Sequence, residues 1–283
     1  MMKKRILLTS LSLTLAVLIA VSPIAAQDIV TKMEHEHEVD TPVESPAAAI
    51  RPAKPVIGTQ VAYATIGDKT INGYLARPAK GSAHAGILVI QEWWGLNDNI
   101  RAMADRLAGE GYVALAVDLY EGEVAEDRQT AASLMRRSME RENALEDNLR
   151  QAYTYLTTEG GASEIGVIGW CFGGGWSLRT AMLMGDRIGA AVIYYGRLVT
   201  DPEDLSSLSA PILGIFGELD GGIPVETVRE FESALKTRRH DAQIHIYPDA
   251  DHAFANPSGT RYNEAAAADA WAKTLRFFDQ YLR

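Results

Sequence analysis

Cysteine is almost absent from this chain, and positive charge is in deficit. A single cysteine, Cys171, occurs among 283 residues, which excludes a disulfide within the chain. The 27 lysines and arginines are outnumbered by 37 aspartates and glutamates, so the formal net charge is −10. An acidic chain is poorly suited to binding nucleic acid or an anionic membrane surface. We therefore expect neither of them among its partners.

The one long apolar run lies at the N-terminus. Three basic residues at positions 3–5 precede an apolar stretch over 6–21, and small residues follow up to Ala26. This order of charge, apolar core and small residues is typical of a secretory signal peptide. We predict a signal peptide over residues 1–26, cleavage near Ala26, a periplasmic protein and no stable membrane association after cleavage. An uncleaved anchor helix is the alternative.

Residues 27–57 have the composition of a flexible linker. Four prolines interrupt the stretch, and few large apolar residues are available to dock it. Within it, residues 34–38 read Glu-His-Glu-His-Glu. Alternating histidine and glutamate can bind a divalent metal weakly, but no cysteine or tight turn accompanies them. We therefore interpret residues 34–38 as a solvated charged tail and predict no metal site.

Residues 58–283 alternate between strand and helix patterns. An antiparallel hairpin is predicted at 61–66 and 70–76, before the first buried strand. The later patterns predict a mostly parallel sheet with helices on both faces, an α/β domain. The predicted strands are 85–90, 112–117, 165–169, 190–195, 212–216 and 243–247, and the predicted helices are 97–110, 128–157, 173–184, 225–236 and 262–282.

The single cysteine lies in the most informative motif of the chain. Residues 169–175 read Gly-Trp-Cys-Phe-Gly-Gly-Gly, between an apolar strand and a helix. This is the Gly-x-nucleophile-x-Gly elbow, whose flanking positions must be small because they meet across a tight turn. The helix N-terminus favours a thiolate and a developing oxyanion at that point. A phosphate-binding loop is the alternative, but the required Gly-x-Gly-x-x-Gly spacing is not met.

A nucleophile at this turn needs a histidine further along the chain. In this fold the order is nucleophile, acid, histidine. Three histidines follow Cys171, namely His240, His245 and His252. Only His252 lies in the loop between the last predicted strand and the last predicted helix, so we predict His252 as the base.

The acid is predicted at Asp220. It lies in a glycine-rich turn directly after the strand at 212–216, from which a carboxylate can reach the histidine and fix its tautomer. Glu218, Asp249 and Asp251 are competing candidates, because spacing alone does not decide between them.

With these residues in place, the chain resembles the dienelactone hydrolase (carboxymethylenebutenolidase) family of the α/β-hydrolase superfamily. The resemblance extends from about residue 57 to residue 283. It rests on QEWWGL at 91–96, VDLY at 117–120, GWCFGG at 169–174, GELD at 217–220 and DHAF at 251–254.

The resemblance implies further roles around the nucleophile. It implies that Cys171, Asp220 and His252 form a triad and that Glu92 is the partner that helps to convert the thiol into a thiolate. A carboxylate among aromatic residues can have a raised pKa and accept such a proton, although a structural ion pair is the alternative for Glu92. The backbone amides of Trp93 and Phe172 would form the oxyanion hole. A pocket with aromatic walls is expected from Trp94, Tyr120, Trp170 and Phe254.

The chain departs from the family at the substrate carboxylate. Gly122 and Asn256 stand where the family has two arginines that hold this carboxylate, and Arg197 is a conceivable substitute. The sequence therefore predicts a monomeric hydrolase of a small ester or lactone, without a metal or organic cofactor. Alternatives are a thioester or other acyl hydrolase on the same triad, a non-catalytic periplasmic binding protein, and a thiol redox sensor.

Overall fold

The computed structural model describes residues 23–38, 50–81 and 85–283. Within these ranges the elements follow in the order α1 (Pro23–Glu36), β1 (Val56–Ile66), β2 (Lys69–Pro78), β3 (Ala85–Ile90), α2 (Asp98–Gly109), β4 (Val113–Ala116), α3 (Arg128–Met139), α4 (Glu142–Thr158), β5 (Glu164–Trp170), α5 (Phe172–Met184), β6 (Ala190–Tyr194), β7 (Ile212–Gly217), α6 (Val225–Thr237), β8 (Ala242–Tyr247) and α7 (Glu264–Leu282). Short 3-10 turns at Gly185–Arg187 and Asp204–Ser207 connect some of them.

The strands form one sheet in the order β1-β2-β4-β3-β5-β6-β7-β8. Strand β2 pairs antiparallel with both β1 and β4, and all other pairs are parallel. Strands β3 to β7 are buried along almost their whole length, as expected where both faces of a parallel sheet are covered. The predicted α/β fold and its N-terminal antiparallel hairpin are confirmed.

Helices α4 and α7 cover opposite faces of this sheet. Gly86 and Ile87 are neighbours in β3, so they face opposite sides. A Cβ at Gly86 would lie 3.4 Å from Leu156 of α4. Gly166 pairs with Ile87 across the β3–β5 ladder, and a Cβ there would lie 3.0 Å from Phe278 of α7. The predicted layers of helix, sheet and helix are therefore present.

The strand order reverses direction next to β3. The chain passes from β3 to β4 on one side and then crosses back to β5 on the other. Ligands bind at the carboxyl ends of the strands at such a point. The segments that leave these ends are residues 91–94 after β3 and Cys171 after β5.

One predicted helix is divided in the structure. The pattern over 128–157 predicted a continuous helix, but α3 ends at Met139 and α4 begins at Glu142. Arg141 leaves the helical region with φ −123° and ψ 38°, and its guanidinium lies 2.5 Å from Glu121. The break carries neither glycine nor proline, so the sequence pattern continues through it.

The N-terminal prediction needs a correction. Residues 27–57 were expected to be a flexible linker, but α1 extends to Glu36 and β1 begins at Val56. The predicted cleavage point near Ala26 falls inside α1, while residues 1–22 and 39–49 lie outside the described residues. The signal peptide therefore stays a prediction. None of the helices in the described ranges combines the length and apolar character needed to cross a bilayer.

A buried hydrogen-bond network joins the hairpin to the loop after β4. The Tyr63 hydroxyl donates to Asn148 Oδ1 at 2.6 Å and accepts from the Asp118 amide at 3.0 Å. Asn148 Nδ2 in turn donates to the Asp118 carbonyl at 2.9 Å. This network fixes the start of the loop that carries Tyr120 next to the elbow.

Replacing Tyr63 by phenylalanine is expected to lower the free energy of unfolding by about 1–3 kcal/mol, because it leaves buried polar partners unpaired. Denaturant unfolding measures the change. Tyr281→Phe is the matched control, since its hydroxyl bonds to Asp241 at 2.6 Å in an exposed position, and a change within about 0.5 kcal/mol is expected. Equal losses in the two variants would contradict the assignment.

Candidate active site

Cys171 lies at the turn between β5 and the N-terminus of α5. Its backbone has φ 57° and ψ −118°, a conformation that is strained for any residue other than glycine. The Cys171 amide donates to the carbonyl of Tyr194 at 3.0 Å, and its own carbonyl accepts from Gly174 and Gly175 at 3.0 and 3.2 Å. These bonds hold the strained turn and place the thiol at the first turn of the helix.

Two glycines make this turn possible. A Cβ at Gly169 would lie 2.0 Å from the carbonyl oxygen of Gly173, and a Cβ at Gly173 would lie 2.4 Å from that of Gln91. The atoms in the way belong to the backbone and cannot move aside easily. The structure thus confirms the steric reason for small residues on both sides of the nucleophile.

His252 and Asp220 form a buried pair beside the elbow. His252 Nδ1 lies 2.8 Å from Asp220 Oδ2, and both side chains are buried. The other oxygen of Asp220 accepts from the amides of Gly222 and Ile223 at 2.9 and 2.8 Å. The carboxylate is therefore fixed from two sides and orients the imidazole toward Cys171.

The competing acids occupy other positions. Glu218 and Asp249 are exposed. Asp251 Oδ1 accepts from the backbone amide of His252 at 2.6 Å, so it contacts the neighbouring peptide. Among the four acidic candidates, Asp220 is the one whose carboxylate reaches the imidazole ring.

The three groups influence each other's ionisation. Burial alone would raise the pKa of the Cys171 thiol, but the charge of His252 and hydrogen bonds from His252 and His37 lower this pKa to about 6. Burial would lower the pKa of His252, but the charges of Asp220 and Cys171 raise it well above its usual range. Burial would raise the pKa of Asp220, yet His252 and two backbone amides lower it. All three shifts favour the combination of thiolate, imidazolium and carboxylate.

Glu92 is buried directly after β3. Asn256 Nδ2 donates to Glu92 Oε2 at 2.7 Å, and Asn256 Oδ1 accepts from Asn99 Nδ2 at 3.3 Å. The residue that replaces a family arginine thus orients the predicted partner of the thiol. This contact was not predicted from the sequence. The role of Glu92 toward the thiol stays a prediction.

The two residues predicted to supply the oxyanion hole are both buried. Trp93 is fully buried and follows Glu92 after β3. Phe172 is the first residue of α5, where backbone N–H groups have no partner within the helix. Their positions at the ends of β3 and β5 are compatible with two amides that face one point. Their function stays a prediction.

The four aromatic residues predicted to line a pocket are all buried, and each contacts another aromatic ring. The ring centroids are 4.9 Å apart for Trp94–Trp93, 5.6 Å for Tyr120–Phe172, 5.5 Å for Trp170–Tyr194 and 5.6 Å for Phe254–Tyr195. The hydroxyl of Tyr194 reaches Thr274 of α7 at 2.8 Å, so Trp170 packs on the face of the sheet that α7 covers. Their contribution to substrate binding stays a prediction.

The N-terminal residues Met33 and His37 also reach the thiol. Met33 Sδ lies 3.4 Å from Cys171 Sγ, and His37 Nε2 lies 3.7 Å from the same atom. The predicted solvated tail at 34–38 is therefore wrong for His37, which is 2% exposed, although the side chain of His35 is 79% exposed. The only signal in the sequence was the alternation of histidine and glutamate.

Within the described residues, one group of side chains could hold a metal ion. Donor atoms of His37, Cys171 and His252 all lie within 4.8 Å of one another. Nitrogen and sulfur donors are those that zinc prefers. The absence of a metal stays a prediction.

Proteins of similar sequence and structure share this domain. A family model described as the dienelactone hydrolase family matches residues 71–282. A Salmonella typhimurium protein provisionally named a carboxymethylenebutenolidase is 36% identical over 223 residues, covering 74% of this chain and 82% of the relative. Protein usf of Aquifex pyrophilus is 33% identical over 233 residues, covering 80% of this chain and all of the relative. A crystal structure from Klebsiella pneumoniae, provisionally named a dienelactone hydrolase, has a TM-score of 0.71 at 28% identity and covers 81% of this chain.

Gly173→Ala is expected to prevent formation of the elbow, because its Cβ would lie 2.4 Å from the Gln91 carbonyl. We expect loss of soluble folded protein or a free energy of unfolding reduced by about 3 kcal/mol or more. Gly175→Ala is the matched control, since its nearest obstacle is the Arg197 Cβ at 3.3 Å and alanine favours a helix. Equal stability of the two variants by thermal unfolding would contradict the steric assignment.

The Cys171 thiol is expected to titrate near pH 6, far below its ordinary value of 9.0. Because folding lowers this pKa, the stability that ionisation contributes is present above the unfolded pKa and is lost as the pH falls through about 6. The ultraviolet absorbance of the thiolate measures the titration, with Cys171→Ser as the blank. Asp220→Asn should move the midpoint upward, because His252 then holds its charge less well. A wild-type midpoint above about pH 8 would refute the ion pair.

Proposed function

Since this chain belongs to the dienelactone hydrolase family and is a carboxylic ester or lactone hydrolase, we propose that it acts through a Cys171–His252–Asp220 triad. The observation that carries the proposal is the buried 2.8 Å contact between His252 and Asp220 beside a cysteine at the N-terminus of α5. A histidine that is oriented by an acid and adjacent to a thiol is the arrangement that nucleophilic acyl transfer requires.

In the first half-reaction, the Cys171 thiolate attacks the carbonyl carbon of the substrate. A C–S bond forms, and the carbonyl π electrons move to the oxygen, which becomes an oxyanion. When the oxyanion collapses, the C–O bond to the leaving group breaks, and the imidazolium of His252 protonates the departing alkoxide. The product is a thioester on Cys171; with a lactone, the released hydroxyl remains part of the same acyl chain.

In the second half-reaction, water attacks the thioester. Neutral His252 takes one proton from the water, and the new oxyanion collapses to expel the thiolate of Cys171. The carboxylic acid leaves, and the thiolate–imidazolium pair is restored. Asp220 remains ionised throughout and stabilises the charged imidazole, which its low pKa permits.

Two backbone amides and one carboxylate are assigned supporting roles. The amides of Trp93 and Phe172 would donate to the oxyanion from the ends of β3 and β5. Glu92, oriented by Asn256, would accept the proton of any thiol that is not yet ionised.

The substrate is proposed to be a small neutral ester or lactone. Gly122 and Asn256 carry no positive charge, and Asn256 is already bonded to Glu92. Arg197, considered as a substitute, is exposed. An anionic substrate therefore lacks the pair of arginines that the family offers. Buried aromatic rings around the elbow suit a compact apolar acyl group.

Export and oligomeric state are proposed from the sequence. A basic start, an apolar stretch over 6–21 and small residues up to Ala26 support export to the periplasm. The monomeric state stays a prediction. Cleavage near Ala26 would retain the residues that reach Cys171 in the mature protein.

The triad is tested by hydrolysis of a short p-nitrophenyl ester. Cys171→Ala is expected to abolish turnover, and Asp220→Asn to lower kcat by about 10⁴, because it presents the wrong tautomer of the histidine. Mass spectrometry should find one acyl group on Cys171 of the wild type and none on the alanine variant. Full hydrolysis by Cys171→Ala would exclude the proposal. A panel of lactones, esters, thioesters and carboxylate-bearing esters separates the substrate classes, with thioester preference favouring the alternative acyl hydrolase.

A further inference from the structure

The N-terminal segment, defined here as residues 30–38, covers the thiol that the proposed reaction uses. Met33 and His37 lie one helical turn apart, since the His37 amide donates to the Met33 carbonyl at 3.1 Å, so both side chains project on the same side. They approach Cys171 Sγ to 3.4 and 3.7 Å. With the segment in place, Cys171 is only 1% exposed. A carbonyl carbon cannot reach the sulfur while these side chains are in place.

The imidazole ring of His37 packs closely against two other rings of the site. Its ring stacks on Trp93 with centroids 4.3 Å apart and an angle of 22°, and it meets the ring of His252 edge-on at 5.3 Å. His37 therefore lies between Trp93 and His252, the proposed base. His35, two residues earlier, faces solvent with 79% of its side chain exposed.

An ion pair also holds the segment against the site. Glu36 Oε2 lies 3.7 Å from Arg261 Nη1 near the His252 loop. The turn after Asp220 is shaped for the same side chain, because a Cβ at Gly222 would lie 2.8 Å from Glu36 Cγ. The loops after β3, β7 and β8 thus each contact the segment.

The hydrogen bonds of His37 distinguish a metal site from a direct hydrogen bond between His37 and Cys171. Arg261 Nη2 lies 3.4 Å from His37 Nδ1. A guanidinium only donates, so Nδ1 accepts and the proton of a neutral ring is on Nε2, the atom that faces Cys171. A metal on Nε2 would move this proton to Nδ1, against the cation of Arg261. The geometry therefore favours a hydrogen bond from Nε2 to the thiolate over zinc.

We propose that residues 30–38 are a built-in inhibitor that occupies the active site and must move away before substrate binds. His37 caps the thiolate, Met33 blocks its approach, and Glu36 anchors the segment to Arg261. The inhibitor deepens the proposed function and rests on it only where Cys171 is taken as the nucleophile. The access of a small reagent to the sulfur of Cys171 shows whether the segment covers it, and this access can be measured without any substrate.

The first test is the rate at which iodoacetamide alkylates Cys171 in the full-length protein at about pH 9, where the thiol is ionised with or without His37. His37→Ala is expected to raise this rate at least about tenfold, which corresponds to about 1.4 kcal/mol of lost contact. His35→Ala is the matched control and should leave it unchanged. Glu36→Gln should raise the rate by a smaller factor, with Glu34→Gln as its control. Matching unfolding curves show that the variants remain folded.

The second readout is kcat/KM for a p-nitrophenyl ester, measured on the same variants. The alkylation rate and kcat/KM should both rise in His37→Ala. An unchanged alkylation rate in His37→Ala and Glu36→Gln would overturn the inhibitor, as would activation of the wild type by a chelator alone, because a metal would then hold the site closed. Faster alkylation without any ester hydrolysis would retain the inhibitor and refute the proposed function.

Discussion

The contact between the elbow and the end of β3 is the constraint on which the site depends. Gly173 lies so close to the carbonyl groups of Ile90 and Gln91 that no Cβ can be accommodated there. This approach brings the first turn of α5 against the residues that follow β3. Cys171, Glu92 and Trp93 come together for that reason, although β3 and β5 are separated in the chain by β4 and three helices.

The second requirement is that the buried charges remain paired. An isolated ion in a protein interior is unstable, and each charge here has a counterpart. Asp220 is held by His252 and two backbone amides, and His252 lies between this carboxylate and the thiol. The same arrangement gives the thiol its low pKa, so stability and reactivity share one set of contacts. Removal of His252 would leave two buried anions without their counter-charge.

The departure at Asn256 connects substrate choice to this network. In place of a charged side chain that could reach outward to a substrate, the chain has an amide bonded to Glu92, Asn99 and Ser258. The position thus contributes to internal order instead of ligand charge. Arg261 lies near the site and faces Glu36 and Asp251, and its proximity to His37 favours a ring proton on the nitrogen that faces the thiolate.

The sequence by itself determined the fold class, and it predicted Cys171 as the nucleophile and His252 as the base. The elbow is a local steric requirement, visible in seven consecutive residues, and the alternation of apolar strands with helices depends on patterns within each element. Tertiary structure alone decided which acid contacts His252, because Asp220 and His252 are 32 residues apart and four carboxylates had suitable spacing. It also decided the break at Arg141 and the position of His37. The contact of His37 with Cys171 spans 134 residues of chain, and no local pattern can report a pairing whose energy comes from stacking, charge and burial supplied by distant segments.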